Sequence, residues 1–327
     1  MKRTLCFIVA LTLTLVGAFP LISNASELKK ITFLTNYVFN GRHAPFFVGL
    51  EKGFYKEAGF DIDIKPTTGS GFVVTAIDGG KADYGMANIS PVVQNVARGA
   101  KVKAFMVYTD ITTDGLAALS PYPTPESVIG KKIAASQTDS ARVILPIIFD
   151  MQGLDASKIN WQAADPSVYF SLLMSGRVDL FTASYDSDVP ALRKVVEPKG
   201  QTVHFSSFAE WGYDIYGYVL LGAADTLAKN PDEAKRFAEA TKKAVEYSIA
   251  NSDEAAQIMV KHNPTMDIEL VKTQWTATID SMQTPYVEKH GYGAATQERI
   301  ERSISLTQRA LKLDGQLKPD DIFMMLK

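Results

Sequence analysis

Cysteine is almost absent. Cys6 is the only one in 327 residues, and it sits inside an N-terminal apolar run that reads as an export signal. The processed chain is therefore expected to have no disulfide, no thiolate metal site and no cysteine nucleophile. Histidine is scarce too. None of His43, His204, His262 and His290 stands three or four positions from another, so a histidine-built metal site is not expected. There is no G-x-S-x-G elbow, and Gly69-Ser70-Gly71 lacks the Gly-Lys-Ser that would complete a phosphate loop. Neither sign of charge dominates: 34 basic residues face 36 acidic ones, with no basic block, which argues against a nucleic-acid partner. No second apolar run approaches membrane-spanning length. Nothing in the residues asks for a cofactor, and no catalytic constellation is visible.

What is present begins with the leader. Lys2 and Arg3 precede an apolar stretch from Leu5 to Leu21, and Ser23-Asn24-Ala25 supplies small residues at the cleavage positions. Residues 1–25 read as a signal peptide cut after Ala25, leaving a soluble periplasmic protein. Cleavage removes two basic residues and no acid, moving the formal charge from −2 to −4. The remaining chain of roughly 300 residues is long enough for two lobes rather than one core.

One pattern occurs twice. Ser70 to Gly85 aligns with Pro166 to Phe181 at a constant offset, so Gly80-Lys81-Ala82-Asp83 falls on Gly176-Arg177-Val178-Asp179. Each copy is a polar start, a short apolar helix, a Gly turn with a basic residue, an Asp and a strand. Two such α/β units predict two lobes, and two lobes make a cleft. Strands are predicted at 31–34, 60–64, 83–87, 102–108, 132–135, 159–163 and 217–222. Lys132–Ala135 reads as the first strand of the second lobe. Helices are predicted from Pro45, Ser70, Asn88 and Ala141, and from Asn230 onward the chain is helical, ending in a helix over 319–326.

Binding signals outnumber catalytic ones. The loop from Asn36 to His43 follows a strand end, where open α/β sheets place ligands; it offers Asn36, Tyr37, Arg42 and His43. Ser70-Gly71-Phe72, Asn88-Ile89-Ser90 and Thr138-Asp139-Ser140 stand at strand-to-helix turns. Free N–H groups there can hold a polar or anionic group, although Ser70, Asp139 and Ser140 can equally be caps. Tyr185-Asp186 follows the second repeat, and Trp211 precedes the strand at 217–222. Tyr37, Phe72, Tyr185 and Trp211 are candidate stacking platforms, with core packing as the alternative use. Asp186 and Asp188 are close in sequence but have no defined partner there. Arg142 can serve an anionic ligand or a surface ion pair.

The run His43-Ala44-Pro45-Phe46-Phe47-Val48-Gly49-Leu50-Glu51-Lys52-Gly53-Phe54-Tyr55-Lys56-Glu57-Ala58-Gly59-Phe60, with Gly69-Ser70, Gly80-Lys81-Ala82-Asp83-Tyr84-Gly85 and Lys101-Val102-Lys103-Ala104, resembles the NMT1/THI5-like group. These are solute-binding proteins of the thiamine-pyrimidine-precursor, sulfonate and nitrate class. The resemblance implies a type II periplasmic-binding-protein fold: two α/β lobes around a ligand cleft, with a helical C-terminal part. Lobe one would span 27–116 plus 221–327 and lobe two 117–220. It implies a ligand set of Asn36, Tyr37, His43, Ser70, Gly71, Phe72, Asn88 and Ser90 from lobe one. Lobe two would add Asp139, Ser140, Tyr185, Asp186 and Trp211. It further implies a non-enzymatic, monomeric receptor handing a small organic molecule to an ABC permease in the inner membrane. A planar heteroaromatic such as a thiamine pyrimidine precursor is the expected ligand, with a sulfonate or aromatic carboxylate as the alternative. Eukaryotic members that synthesise the pyrimidine consume a histidine of their own and carry a cysteine-rich iron motif; this chain lacks those cysteines.

Overall fold

The computed structural model describes residues 27–326; the expected signal segment lies outside the described residues. Among these, the strands are β1 (Lys29–Leu34), β2 (Phe60–Lys65), β3 (Tyr84–Asn88), β4 (Val102–Val107), β5 (Asp114–Ala118), β6 (Lys132–Ala135), β7 (Asn160–Ala163), β8 (Leu180–Ser184), β9 (His204–Ser207) and β10 (Tyr218–Ala223). They form two five-stranded sheets, ordered β2-β1-β3-β10-β4 and β7-β6-β8-β5-β9. The two orders are the same arrangement. In each sheet the antiparallel strand is the one that follows a crossing: β10 runs against β3 and β4, and β5 against β8 and β9.

The chain leaves the first sheet through 108–113 and returns through 208–217. A division at 116/117 and 220/221 would cut β5 and β10, each of which lies whole in one sheet. The first crossing carries buried polar residues, Thr109, Asp110, Thr112 and Thr113, which in sequence look no different from strand flanks. Lys132–Ala135 is consequently the second strand of its sheet, not the first. The helix Asp188–Val196 and strand β9 escaped the sequence pattern, and the final helix is shorter than expected. It covers Pro319–Ile322 only, because Phe323 turns extended to bridge Ala104 and Met324 donates to the Ala104 carbonyl at 2.8 Å.

The repeat has a mechanical basis. Gly80 and Gly176 both adopt φ +68°, the left-handed turn that ends each short helix and that a Cβ disfavours. Three residues on, Asp83 donates its N–H to the Thr32 carbonyl at 3.0 Å, and its carboxylate accepts the Thr32 N–H at 2.8 Å. Asp179 does the same to Lys132, at 2.9 and 2.8 Å. Each Asp thus pins the entry of one strand to its neighbour, at the middle of β1 in one sheet and at the start of β6 in the other. Most of the helical C-terminal part covers the first sheet, while the helix Gln297–Leu311 also packs on the helix Ala141–Met151, with Arg309 paired to Asp150 at 2.6 Å. Phe237, on the helix Pro231–Ala250, centres a ring cluster with Tyr84 at 4.7 Å, Tyr55 at 5.2 Å and Phe60 at 5.7 Å.

The twin turns give a paired expectation. Gly80→Ala and Gly176→Ala should each cost about 1–2 kcal/mol, because both sites have room for a Cβ and only the backbone conformation resists. Urea denaturation of the two variants measures this, and a loss at one site alone would show that the turns are not equivalent.

Candidate functional site: a cavity between the two sheets

The cavity lies where the two sheets face each other. Its wall takes Asn36, Tyr37, Arg42, Gly69 and Ser70 from the first lobe and Asp114, Asp139, Ser140, Thr182, Ser184 and Asp188 from the second, with Tyr218 at the return crossing. Its free space, mouth included, is about 370 Å³. The lobes touch around it. Gly71 N–H donates to the Thr138 carbonyl at 2.9 Å, Ser136 Oγ to the Thr68 carbonyl at 2.7 Å, and Gln274 Nε2 to the Ser187 carbonyl at 2.8 Å. Gly69 makes this approach possible: a Cβ there would stand 2.3 Å from the Thr138 oxygen.

Asp114 anchors the floor. Its Oδ1 accepts from Ser184 Oγ at 2.9 Å and from the Tyr218 hydroxyl at 2.5 Å, and its Oδ2 from Ser140 Oγ at 3.0 Å and Asn88 Nδ2 at 3.2 Å. Burial pushes this carboxyl upward; Arg42 and the hydroxyls pull it back. Tyr218 is opposite Asn88 in the first sheet as Asp114 is opposite Ser184 in the second, so four equivalent strand ends meet at one carboxylate.

Arg42 is the wall's guanidinium. It forks onto Asp186, with Nε at 2.8 Å from Oδ2 and Nη2 bonded to Oδ1. Nη2 also donates to Thr113 Oγ1 at 3.1 Å, and the guanidinium lies 4.5 Å over the Tyr218 ring. Thr278 Oγ1 completes Asp186 at 2.8 Å. Both members of the pair are at most 1% exposed. Arg42 Nη1 has no hydrogen-bond partner among the described residues. The loop beside it is set by His43, whose Nδ1 accepts the Asn40 N–H at 3.3 Å. His43 Nε2 is therefore the donor to Asn36 Oδ1, at 3.1 Å. Burial, then Arg42, holds His43 well below its ordinary pKa.

Two further acids line the second lobe. Asp139 accepts from the Ala141 N–H at 2.9 Å and Thr182 Oγ1 at 2.6 Å; burial pushes it up to about 6. Asp188 Oδ2 accepts from the Ser184 N–H at 2.9 Å and Ser187 Oγ at 3.2 Å, whereas its Oδ1 has no partner among the described residues. Burial pushes Asp188 up to about 7. No group of three or more acids, histidines or cysteines is arranged to hold a metal ion among the described residues.

The sequence-predicted residues divide. Asn36, Tyr37, Ser70, Asp139 and Ser140 are on the wall. His43, Asn88 and Asp186 stand behind it, supporting Asn36, Asp114 and Arg42. Ser90 is buried against Tyr213 and Thr307, at 2.7 and 3.1 Å. Of the four aromatics expected to face the cleft, only Tyr37 does. Phe72 points outward at 46% exposure, since the helix Ser70–Asp78 turns its Val73–Val74 face inward. Gly71 is spent on the contact with Thr138. Trp211 packs on Phe208 and donates Nε1 to the Pro123 carbonyl at 3.0 Å. Tyr185 reaches across to the Ala277 carbonyl at 3.1 Å. Arg142 is occupied by the carbonyls of Ser136 and Ala135 and lies over Trp161. Asp114, Thr182, Ser184 and Tyr218 carry no sequence signal, and Asp188, noted in the sequence only for standing near Asp186 without a defined partner, was missed with them.

Two sheets of this order, crossed twice by the chain and enclosing a polar cavity, make the periplasmic-binding-protein fold. The alkanesulfonate-binding protein SsuA of Xanthomonas axonopodis pv. citri, bound to MOPS, matches with a TM-score of 0.72 at 13% identity, over 92% of this chain and 99% of that one. A Candida albicans protein described as having the generic periplasmic binding protein structural fold matches at 0.66 and 14%, over 92% and 97%. The NMT1/THI5-like family model matches residues 40–255, and the chain belongs to that family. A 4-amino-5-hydroxymethyl-2-methylpyrimidine phosphate synthase of Saccharomyces cerevisiae, THI13, is 25% identical over 75% of each chain. A candidate binding protein of Brucella abortus is 21% identical over 80% of this chain and 79% of its own.

Two outcomes are expected. Asp139 and Asp188 hold protons in the closed fold at pH values where the unfolded chain has lost them. Stability should therefore fall as pH rises from about 4 to about 7. Asp188→Asn should melt several degrees above the parent at pH 8 and level with it near pH 4; equal melting at both would remove the claim. Gly69→Ala should wedge the lobes apart, giving a larger radius of gyration by X-ray scattering than the parent. An equal radius would show that the Thr138 contact does not limit closure.

Proposed function

We propose that this protein is a periplasmic solute receptor: it closes its two lobes on a small organic molecule, presents it to an ABC permease in the inner membrane, and does no chemistry on it. The observation that carries this reading is the cavity itself. Its wall is drawn from both lobes, at strand ends, and it is sealed by hydrogen bonds that exist only when the lobes meet. Ligand binding to such a site stabilises the closed arrangement, which is the form a permease can recognise. Asn36, Tyr37, Ser70, Asp139 and Ser140 are proposed as contacts, joined by Arg42, Asp114, Thr182, Asp188 and Tyr218. The Tyr37 ring and the polar groups around it suit a planar heteroaromatic such as a pyrimidine. We read lobe one as the first sheet with the C-terminal helices and lobe two as the second sheet.

The yeast relative's name keeps a synthase in view, and one experiment separates the two. A thermal-shift screen of aminopyrimidines and related heteroaromatics should find a compound that raises the melting temperature; a hundredfold excess over Kd contributes about 2.7 kcal/mol. Chromatography of that mixture should return the compound unchanged, and scattering should show a more compact particle. Conversion to product would overturn the receptor reading.

A further inference from the structure

On the receptor reading above, we propose that the cavity selects a nitrogen compound that is cationic or strongly donating, such as an ammonium-bearing or amidine-like heteroaromatic, and rejects sulfonates and carboxylates. Three carboxylates line the wall: Asp114, Asp139 and Asp188. The single guanidinium among the lining residues, Arg42, is already matched by Asp186 through a two-pronged, fully buried pair. An entering anion would meet three acids and, on the wall itself, no unpaired guanidinium; Arg142, which acts on Asp139, is not among the lining residues and is held by the carbonyls of Ser136 and Ala135. A cation would meet Asp188 Oδ1, which no protein donor satisfies, with Asp139 nearby. Arg42 Nη1, the Tyr37 hydroxyl and the Asn36 amide then remain as donors to an acceptor on the same ligand, a ring nitrogen or carbonyl. Among the described residues the acids are not grouped around a common metal position, which favours an organic occupant over a bare ion. Opposite charge attracts the correct class, and the acids repel the wrong one.

The same arrangement links binding to protons. Asp188 is faced by Arg42 and Tyr37 from the first lobe and by Tyr169 and Asp186 from its own; Asp139, also in the second lobe, faces Tyr37 from the first and Tyr169, Asp114 and Arg142 from its own. A bound cation favours the ionised acids over the protonated ones, so binding releases protons and tightens as pH rises from about 6 to 8. An anion would show the opposite slope.

The test is isothermal titration calorimetry on the exported full chain with four probes. These are 4-amino-2-methylpyrimidines carrying a 5-aminomethyl, a 5-hydroxymethyl or a 5-carboxylate group, and ethanesulfonate. The aminomethyl compound should bind at least tenfold tighter than the carboxylate, tighten with pH, and release protons detectable as a buffer-dependent enthalpy; ethanesulfonate should not bind. Asp188→Asn should weaken the aminomethyl compound at least tenfold and the hydroxymethyl compound less than threefold. Asp186→Asn, which frees Arg42, should raise affinity for the carboxylate. Should either variant fail to fold, the probe series and pH slope on the parent chain still decide. Tighter binding of the carboxylate or ethanesulfonate, with compaction, would overturn the cation selectivity and leave the receptor standing. No binding by any probe, together with an empty thermal-shift screen, would overturn both.

Discussion

Arg42 and Asp186 come from opposite lobes, and closing the cleft takes both charges out of water. Such burial costs several kcal/mol per ion and is recovered only with near-ideal geometry and further hydrogen bonds. Here the requirement is met by parts from four places: the Asp186 fork, Thr113 in the first crossing, Thr278 on the helix Ile268–Ile279, and the Tyr218 ring beneath the guanidinium. All four are in position together only when the lobes meet. The pair therefore sets one relative orientation of the lobes rather than a family of them. It also decides what the cavity sees, since it consumes the Asp186 charge and turns Nη1 of Arg42 to the wall.

The second constraint is the internal repeat. Equivalent turns and equivalent Asp clamps build two sheets of one order, and these bring equivalent strand ends to the same place. Asn88 and Ser184 close β3 and β8; Tyr218 and Asp114 open β10 and β5. Three of the four donate to the fourth. The scaffold is symmetric, and the chemistry is the departure from that symmetry. One copy supplies an amide and a phenol, and the other a hydroxyl and a carboxylate. The loops above follow the same division: Asn36 and Tyr37 beyond β1, Asp139 and Ser140 beyond β6.

This explains which parts were legible in the sequence. The repeat, most strands and the fold class were readable because turns, clamps and alternation are local properties of the chain. Asn36, Tyr37, Ser70, Asp139 and Ser140 were readable because strand-to-helix turns mark the ends of strands. Asp114 was not, because an acid opening an apolar strand looks like a loop residue until four donors from distant segments converge on it. Trp211 and Phe72 misled for the converse reason. Proximity to a strand end says nothing about which face of a turn or helix points inward, and packing of Val73–Val74 and of Phe208 settled that. The crossings were displaced by several residues because buried threonines in a linker carry the same signature as strand termini.

The carboxylates that line the cavity also bear on when it closes. With the cleft shut and empty, Asp139 and Asp188 are partly withdrawn from water, and burial is the largest influence on each. On the proposed receptor reading, opening would rehydrate them further, so the empty protein would gain by staying open near neutral pH, where ionised acids are solvated most favourably. A ligand that supplies positive charge or strong donors removes that penalty in the closed state and has no such effect in the open one. It binds the two states differently, and a population shifts only by such a difference. An anion would deepen the penalty instead. Selection of the ligand and control of closure are then one electrostatic effect read twice, once as affinity and once as conformation.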